Sequence, residues 1–256
     1  MERIRRPTRA LFASGLIGMG AVGLRFGDFA SVSAEFPAWV PGRTIILYVA
    51  AALMLLGGIG LLFERTTAIS ARVIFYYLAL WALLLNVPIV LKAPLVEVNY
   101  QGLGEIMVIL AAGWVLFATL VAPAAGATSS FATSTRGIRN AQILFGLALI
   151  PLGLAHFFYL DNTVKFVPAL LPFRTFWAYF TGAAQVAAGF GVLLSIVPRL
   201  AAILDTVLLA LFTALCWIPL LVATPGSSGL WSEFTVSWAI TAGAWVVAAS
   251  FAPAKR

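Results

Sequence analysis

The chain has 256 residues, of which 62% are hydrophobic and only 10% are charged, and its net charge is +7. A soluble domain is usually about 45–50% apolar and about 25% charged, so this composition excludes an ordinary water-soluble protein and predicts that lipid surrounds most of the chain. A basic excess suggests nucleic-acid binding in a soluble protein. In a membrane protein it is better explained by basic cytoplasmic loops.

The first predicted element is an apolar stretch near residues 10–29, which follows four arginines within residues 3–9. With Val32-Ser33-Ala34 after it, this pattern is typical of a cleaved signal peptide. We predict instead that the segment is retained as a membrane anchor, because it has a full counterpart in the second half of the chain.

An internal repeat is visible when the chain is shifted by 131 positions against itself. Residues 37–44 then lie on residues 168–175, with five of the eight identical. Chance matching of two apolar halves is the alternative, but coincident Pro, Trp, Tyr and Arg residues at one offset favour duplication. Further identical pairs are Tyr48 with Tyr179, Pro88 with Pro219 and Trp114 with Trp245.

Each copy is predicted to hold four apolar spans, which gives an all-α polytopic membrane protein of about eight transmembrane helices. The spans lie near residues 10–29, 44–63, 70–91 and 104–121, and near residues 140–160, 175–197, 200–222 and 234–252. The first repeat takes residues 1–121 and the second 140–256, with 122–139, rich in Ala, Ser, Thr and Gly, as a flexible linker. Since four is an even number, both copies enter from the same side, and two parallel four-helix bundles are expected.

The distribution of charge predicts the orientation of these helices. With the amino terminus inside, eleven basic residues are cytoplasmic and five face outward, so both termini are placed in the cytoplasm. Six acidic residues lie outside and three inside, Asp205 among the latter. A polar layer of mixed charge is therefore expected at the outer helix ends.

Prolines and glycines predict how the helices bend and pack. Pro88 and Pro219 fall near the outer end of the third span of each copy, and each frees the carbonyl four residues earlier, so paired kinks are expected. Pro151 predicts a kink in the fifth helix alone. The glycines within residues 57–60 and 189–191 predict close approach of neighbouring helices.

Charged residues at membrane depth are costly and are therefore candidates for function. The repeat pairs Arg25 with His156, and Arg43 with Arg174, near the outer helix ends. Each copy also has a carboxylate early in its fourth helix and a tyrosine five residues after its arginine. The candidate ligand-binding residues are His156, Arg174, Glu233, Tyr179, Arg25, Arg43, Glu105 and Tyr48.

These residues allow two interpretations. In the functional one, they form a small pocket that hydrogen-bonds a polar head group such as a quinone carbonyl. In the structural one, the arginines anchor helix ends at the interface, and Glu105 and Glu233 neutralise them or lie at positive helix amino termini. His156 likewise has either a ligand or proton role, or is an interfacial histidine with satisfied hydrogen bonds.

Several kinds of site are excluded or demoted. Bis-histidine haem needs two histidines, and a zinc site of His and Cys needs more ligands than His156 and Cys216 provide, so no metal site is predicted. With one cysteine, no disulfide can form within the chain. The GxGxxG pattern at residues 18–23 lies inside a predicted span with no strand before it, and indicates helix packing.

Motifs in both copies point to one family. In the second copy they are Gly153-Leu154-Ala155-His156-Phe157, the turn at residues 168–172, Gly182-Ala183-Ala184-Gln185 with Gly189-Phe190-Gly191, and Pro198-Arg199-Leu200-Ala201-Ala202. The first copy adds Gly102-Leu103-Gly104-Glu105, before its last helix. Each copy of the chain resembles the DoxX-like family of four-helix membrane proteins. Relatives with two copies often have His-Ile-Pro in the third helix and a lysine in the last. This chain has Trp217-Ile218-Pro219, Asn86-Val87-Pro88, Val236 and Glu105 at those places, so a site built on those family residues is not expected here.

The resemblance implies a bacterial inner-membrane location and a link to a thiosulfate:quinone oxidoreductase. The first hypothesis is a quinone-facing or redox-associated membrane subunit, with quinone as the one cofactor considered and electrons supplied by a redox partner protein. The alternative is a non-enzymatic carrier of small molecules or lipids, or a membrane scaffold for a partner complex. The lipid bilayer is the expected partner and nucleic acid is not, while enzymatic activity and oligomeric state stay open.

Overall fold

The computed structural model describes residues 6–27, 40–121 and 131–251, and these residues form nine helices and no strand. The predicted all-helical fold is therefore confirmed for the described part of the chain. The helices are α1 Arg6–Phe26, α2 Arg43–Leu62, α3 Thr67–Lys92, α4 Glu97–Leu120, α5 Thr135–Phe158, α6 Leu160–Phe166, α7 Arg174–Leu193, α8 Pro198–Ala223 and α9 Ser228–Ser250.

Some predictions concern residues outside these ranges. They are the cleavage-like residues 32–34, the start of the repeated turn at 37–39, and residues 122–130 of the linker. The linker was predicted to end at 139, whereas α5 begins at Thr135. The Ser134 hydroxyl accepts a hydrogen bond from the Gly137 amide, and this cap starts the helix earlier than hydropathy indicates.

Seven helices, namely α1 to α5, α7 and α8, are long and apolar enough to cross a membrane. The sequence predicted about eight, and the remaining long helix, α9, has 23 residues but is not among the seven. Ser232, Thr235 and Thr241 lower the hydropathy of α9, and all three are buried. Because α9 packs on α1, α4 and α8, these buried hydroxyls face other helices.

The eight long helices form a closed ring. Each helix packs on the next in the order α1, α2, α3, α4, α5, α7, α8 and α9, and α9 packs on α1. In addition, α4 and α9 pack on each other across the middle. The fourth helix of each half therefore lies beside the first helix of the other half, so the halves are not two independent four-helix bundles.

The helix boundaries repeat along the chain. Helices α2 and α3 span residues 43–62 and 67–92, and α7 and α8 span 174–193 and 198–223, so every boundary recurs after 131 positions. The third long helix of each half also contains a five-residue π turn, which is Ala82–Asn86 in α3 and Thr213–Trp217 in α8.

The two π turns show how the chain accommodates Pro88 and Pro219. Each turn ends two residues before its proline. In α3, the Val87 amide bonds to the Ala82 carbonyl five residues back. A wider turn relieves the clash between a proline ring and the carbonyl four residues before it. At Pro151, by contrast, α5 runs on as a continuous helix.

Glycines let the paired helices approach closely, as predicted. A Cβ on Gly58 would lie 2.8 Å from Ile17 Cγ1 on α1, and a Cβ on Gly189 would lie 2.8 Å from the Gly146 carbonyl on α5. Gly20, within the GxGxxG pattern, meets the α2 backbone at Leu55 in the same way. That pattern is therefore a helix-packing feature.

The two ends of the helix ring differ in their polar contacts. We call the end where α4 and α9 begin the rim, and the opposite end the base. At the base, Arg9 is only 5% exposed and its Nη2 lies 2.7 Å from Glu64 Oε1. Arg139, also at the base, donates to Ser195 Oγ at 2.9 Å and to the Leu193 carbonyl. These contacts join α1 to the α2–α3 turn, and α5 to the end of α7.

The Arg9–Glu64 pair is expected to make stability depend on pH. The hydrogen bond from Arg9 holds the pKa of the Glu64 carboxyl below its ordinary value of 4.5. Since the folded pKa is the lower one, the pair stabilises the fold above pH 4.5, and this contribution is lost as pH falls through the folded value. Thermal unfolding in detergent between about pH 6 and pH 3 should show a smaller acid-induced drop for Glu64→Gln than for wild type. Equal drops in the two proteins would contradict this assignment.

Candidate functional site

A cavity of about 700 Å³ lies between α4, α5, α7, α8 and α9 near the rim, with α6 beside its mouth. Its walls include the aromatic side chains of Phe166, Phe212 and Trp217. A mostly apolar cavity of this size with a few converging polar groups is typical of a small-molecule site. The main polar side chains that line it are Gln101, Glu105, His156, Gln185, Glu233 and Ser237.

The cavity reaches from the rim toward the middle of the bundle. Glu105 lies eight residues after the start of α4, and Glu233 five residues after the start of α9, which is about 12 Å and 8 Å of helix. Gln185 lies eleven residues into α7, about 16 Å from its start. Polar groups therefore extend to about half of the roughly 30 Å thickness of a hydrocarbon layer.

The hydrogen bonds of His156 assign its tautomer. Its Nδ1 lies 3.0 Å from Thr181 Oγ1 and 3.3 Å from the Ala178 carbonyl oxygen. A carbonyl can only accept, and the Thr181 hydroxyl already donates to the Trp177 carbonyl, so we assign the proton to Nδ1. Nε2 is then an acceptor on a side chain that lines the cavity.

Two carboxyls, from different halves of the chain, share the cavity. Glu105 comes from α4 and Glu233 from α9. Gln101, one turn earlier in α4, donates to Glu105 Oε1 at 3.4 Å. The sequence grouped Glu105 with Arg43 of its own half. The structure places it beside His156 and Glu233 instead, because α4 packs on α5 and α9.

Arg174 does not line the cavity, although the sequence placed it in the pocket. Its Nε donates to the Val167 carbonyl at 2.9 Å and its Nη2 to the Lys165 carbonyl at 3.0 Å. These bonds hold the end of α6, which contributes Phe166 to the cavity wall. Arg174 therefore positions the short helix at the cavity mouth.

The other four candidates lie outside this cavity. Tyr179 packs its ring 5.7 Å from the ring of Phe157 on the outer surface of α7. In the first half, the guanidinium of Arg25 lies 5.3 Å from the Phe26 ring centre. The side chains of Arg25, Arg43 and Tyr48 are exposed, as helix-end residues at a membrane interface would be.

Sequence reasoning missed Gln185 as a site residue. Gln185 is 3% exposed yet lines the cavity, and the sequence indicated it only as the last residue of the family-like motif at residues 182–185. Two signals mark it: an amide inside an apolar span is costly, and the equivalent residue in the first half is Met54. The same contrast holds for Ser237, which corresponds to Ile106.

The donor set of the described residues does not suggest a metal centre. Among residues 6–27, 40–121 and 131–251, no three His, Cys, Asp or Glu side chains cluster closely enough to hold a metal ion. Cys216 is a free, buried thiol in the π turn of α8. The chemistry available in the cavity is hydrogen bonding and proton exchange.

The described part of the chain is an all-helical fold with seven helices able to cross a membrane and a polar-lined site near one end. The profile of a domain of unknown function, DUF8561, matches residues 145–248. This segment runs from α5 to α9 and contains His156, Gln185 and Glu233. No curated protein and no solved structure matches the chain. The similarity thus concerns the half of the chain that supplies most of the cavity, and it names no activity.

Proposed function

We propose that this chain is an integral membrane protein whose cavity binds the head group of a membrane-soluble small molecule, a quinone in the first instance. The observation that carries the proposal is the convergence of an acceptor nitrogen, two carboxyls and an amide in one cavity at membrane depth. Ionisable groups inside a membrane span are expensive and usually mark a ligand or proton pathway.

The cavity offers what each redox state of a quinone needs. A quinone carbonyl accepts hydrogen bonds, which the Gln185 amide can donate, and a quinol hydroxyl donates one, which His156 Nε2 can accept. Reduction of a quinone to a quinol takes two electrons and two protons. His156, Glu105 and Glu233 are groups that can exchange the protons, and a redox partner protein of the same membrane would supply the electrons. The aromatic walls at Phe166, Phe212 and Trp217 suit a flat ring.

We infer that the chain is a tandem duplication of one four-helix unit. The equal boundaries of α2 with α7 and of α3 with α8, and the paired π turns, support this inference. So does the packing order, because each fourth helix lies beside the first helix of the other half. An exchange of this kind makes one protein of two repeats, and it brings Glu105 into the cavity.

The proposed location is the bacterial inner membrane, with both termini and the base in the cytoplasm and the rim facing outward. The resemblance to DoxX-like proteins and the positive-inside distribution of arginines support it. Arg9, Arg139 and Arg199 all lie at the base.

A second candidate function is non-enzymatic carriage of a small molecule or lipid. The π turn of α8 favours it, since this turn contains Trp217 and directly follows Phe212, both in the cavity wall. π turns within helices are frequent at functional sites, and this one could reshape the cavity as cargo enters or leaves.

Native purification from membranes tests both candidates. The protein is isolated in lipid nanodiscs, and co-extracted lipids are identified by mass spectrometry for wild type, His156→Ala and Arg25→Ala, the last being the matched position of the first half. We expect quinone with wild type and Arg25→Ala and a strongly reduced amount with His156→Ala. Wild-type protein without quinone, whose tryptophan fluorescence is unchanged by added quinone, would refute quinone binding. Enrichment of another lipid in the same sample would favour the carrier.

A further inference from the structure

Asp205 on α8 is a buried acid that the cavity lining does not include. Asp205 is 2% exposed, and neither of its carboxyl oxygens has a hydrogen-bond partner among the described residues. From the sequence, Asp205 was predicted only to be one of three acidic residues on the cytoplasmic side. In the structure it lies seven residues into α8, about 10 Å from the base end of that helix.

Asp205 lies directly below the cavity floor. Leu208 and Leu209, three and four residues later in α8, line the cavity, so Asp205 is on the same helical face, about 5 Å deeper. On the neighbouring helix α7, a Cβ on Gly191 would lie 3.0 Å from Ala201 Cβ, which sets the register of the α7–α8 pair. With antiparallel helices, this register puts Gln185 within about one turn of Asp205.

A chain of hydroxyls continues the polar lining along the seam between α8 and α9. Ser237 Oγ, in the cavity wall, lies 2.7 Å from Thr213 Oγ1, which lies 3.1 Å from Thr241 Oγ1. Thr213 is eight residues after Asp205 in the same helix and faces inward with it. We call Gln185 and this hydroxyl chain the polar seam. Its hydroxyls lie at the level of the cavity, about 12 Å above Asp205 along α8, so Gln185 is the seam residue nearest to the level of Asp205.

The first half shows that folding does not require a carboxyl at this position. The residue equivalent to Asp205 is Ile74, also 2% exposed, which packs against Gly57 and Gly113. An apolar side chain therefore fits the same place in the ring. The polar seam is replaced in the same way, by Met54, Ala82, Ile106 and Leu110 in place of Gln185, Thr213, Ser237 and Thr241.

No described cation faces Asp205. It is packed between α7 and α9. The charged and titratable residues of α7 are Arg174 and Tyr179, and that of α9 is Glu233, all near the rim. On α8, the charged and titratable residues besides Asp205 are Arg199 at the base end and Cys216 in the π turn. An ionised carboxylate without partners in such surroundings is strongly disfavoured.

We propose that Asp205 is a second, deeper proton-binding site, which holds a proton at neutral pH and exchanges it with the cavity beside Gln185. In each exchange the carboxyl releases one proton toward the cavity and later takes one back, and no electron moves. Its use, delivery of a proton to a bound head group, rests on the proposed function. The proton site itself does not, because it needs no ligand.

Infrared spectroscopy of ligand-free protein in nanodiscs tests this proposal, since a protonated carboxyl and a carboxylate absorb at different frequencies. Wild type at neutral pH should show a protonated-carboxyl band that is lost in Asp205→Asn and in Asp205→Ile, which copies Ile74. The band should shift on transfer to D₂O. That exchange should be about tenfold slower in Gln185→Met, which removes the polar side chain nearest to the level of Asp205.

The matched control is Gln142→Met, which makes the same substitution away from Asp205 and the cavity. The Gln142 Nε2 donates to Ser250 Oγ at the base. Exchange in this control should match wild type. Absence of an Asp205 band in wild type, or equal exchange rates in Gln185→Met and Gln142→Met, would overturn the proposal. Both results are independent of whether quinone is found in the cavity.

Discussion

Replacing Gly153 by valine is expected to destabilise the fold by at least about 3 kcal/mol, which is the largest single-residue effect that we predict. Gly153 lies where α5 crosses α7. A Cβ there would be 2.6 Å from the Gly182 carbonyl oxygen and 2.9 Å from the Val186 amide nitrogen. Both are backbone atoms, so no side-chain rotation can relieve the clash and the two helices must separate.

Separation of α5 from α7 would also disturb the site. His156 is one turn after Gly153, and its Nδ1 is held by Thr181 and Ala178 of α7. We therefore expect Gly153→Val to lose ligand binding along with stability. Small residues at such crossings supply the close van der Waals contact that holds helices together in lipid.

Gly102→Val is the matched control for this prediction. Gly102 is also inside a helix, and a Cβ there would meet nothing within 4 Å. The stability of Gly102→Val should stay within about 0.5 kcal/mol of wild type, because the added side chain meets open space. The change in helix propensity is the same in both variants, so the difference between them measures the clash at Gly153. Unfolding in mixed detergent micelles, followed by circular dichroism, gives the comparison. Similar midpoints for the two variants would show that the crossing at Gly153 is not as tight as described.

Replacing Gln185 by methionine is expected to weaken head-group binding about tenfold while leaving the fold intact. The substitution removes the deepest amide of the cavity, and a ligand carbonyl that loses its donor is left unsatisfied. Met54 occupies the equivalent position in the first half at 1% exposure, so methionine is compatible with this packing. Stability should stay the same or rise, because a buried amide is exchanged for an apolar side chain.

The control is the same substitution at the other buried glutamine, Gln142. Its amide Nε2 donates to Ser250 Oγ at 3.0 Å at the base, away from the cavity. Gln142→Met should keep wild-type affinity, although loss of this bond costs it about 1 kcal/mol of stability. Titration of each purified variant with a soluble quinone, read from tryptophan fluorescence, measures the dissociation constants. Equal affinities of Gln185→Met and wild type would place the head group elsewhere.

The site belongs to the ring as a whole rather than to one half of the chain. Four of its walls come from the second half, and the fifth, α4, carries Glu105 in from the first half. The polar site residues of the second half correspond in sequence position to apolar residues of the first half, such as Met54 and Ile106. If the duplication is correct, one copy has kept or gained the polar chemistry while the other supplies packing and one carboxyl.

Several features of this protein follow from its sequence alone. Each of the eight long helices, but not the short α6, could be predicted because in lipid the backbone must satisfy its own hydrogen bonds, so an apolar run of sufficient length becomes a helix. The departures from α-helical hydrogen bonding before Pro88 and Pro219 and the close contacts at Gly58 and Gly189 are equally local, since a missing amide or a missing side chain acts on its immediate neighbours. His156, Glu105 and Glu233 could be singled out because charge at membrane depth is rare.

Only the tertiary structure decided which of these residues meet. It placed α4 against α5, which took Glu105 away from Arg43 and into the cavity with His156, and it turned Arg174 toward the carbonyls that end α6. It also showed that Asp205 is buried without a partner rather than exposed at the inner surface. The physical reason is that hydropathy acts along one helix, whereas the choice of neighbour is the sum of many weak contacts between small residues far apart in the chain.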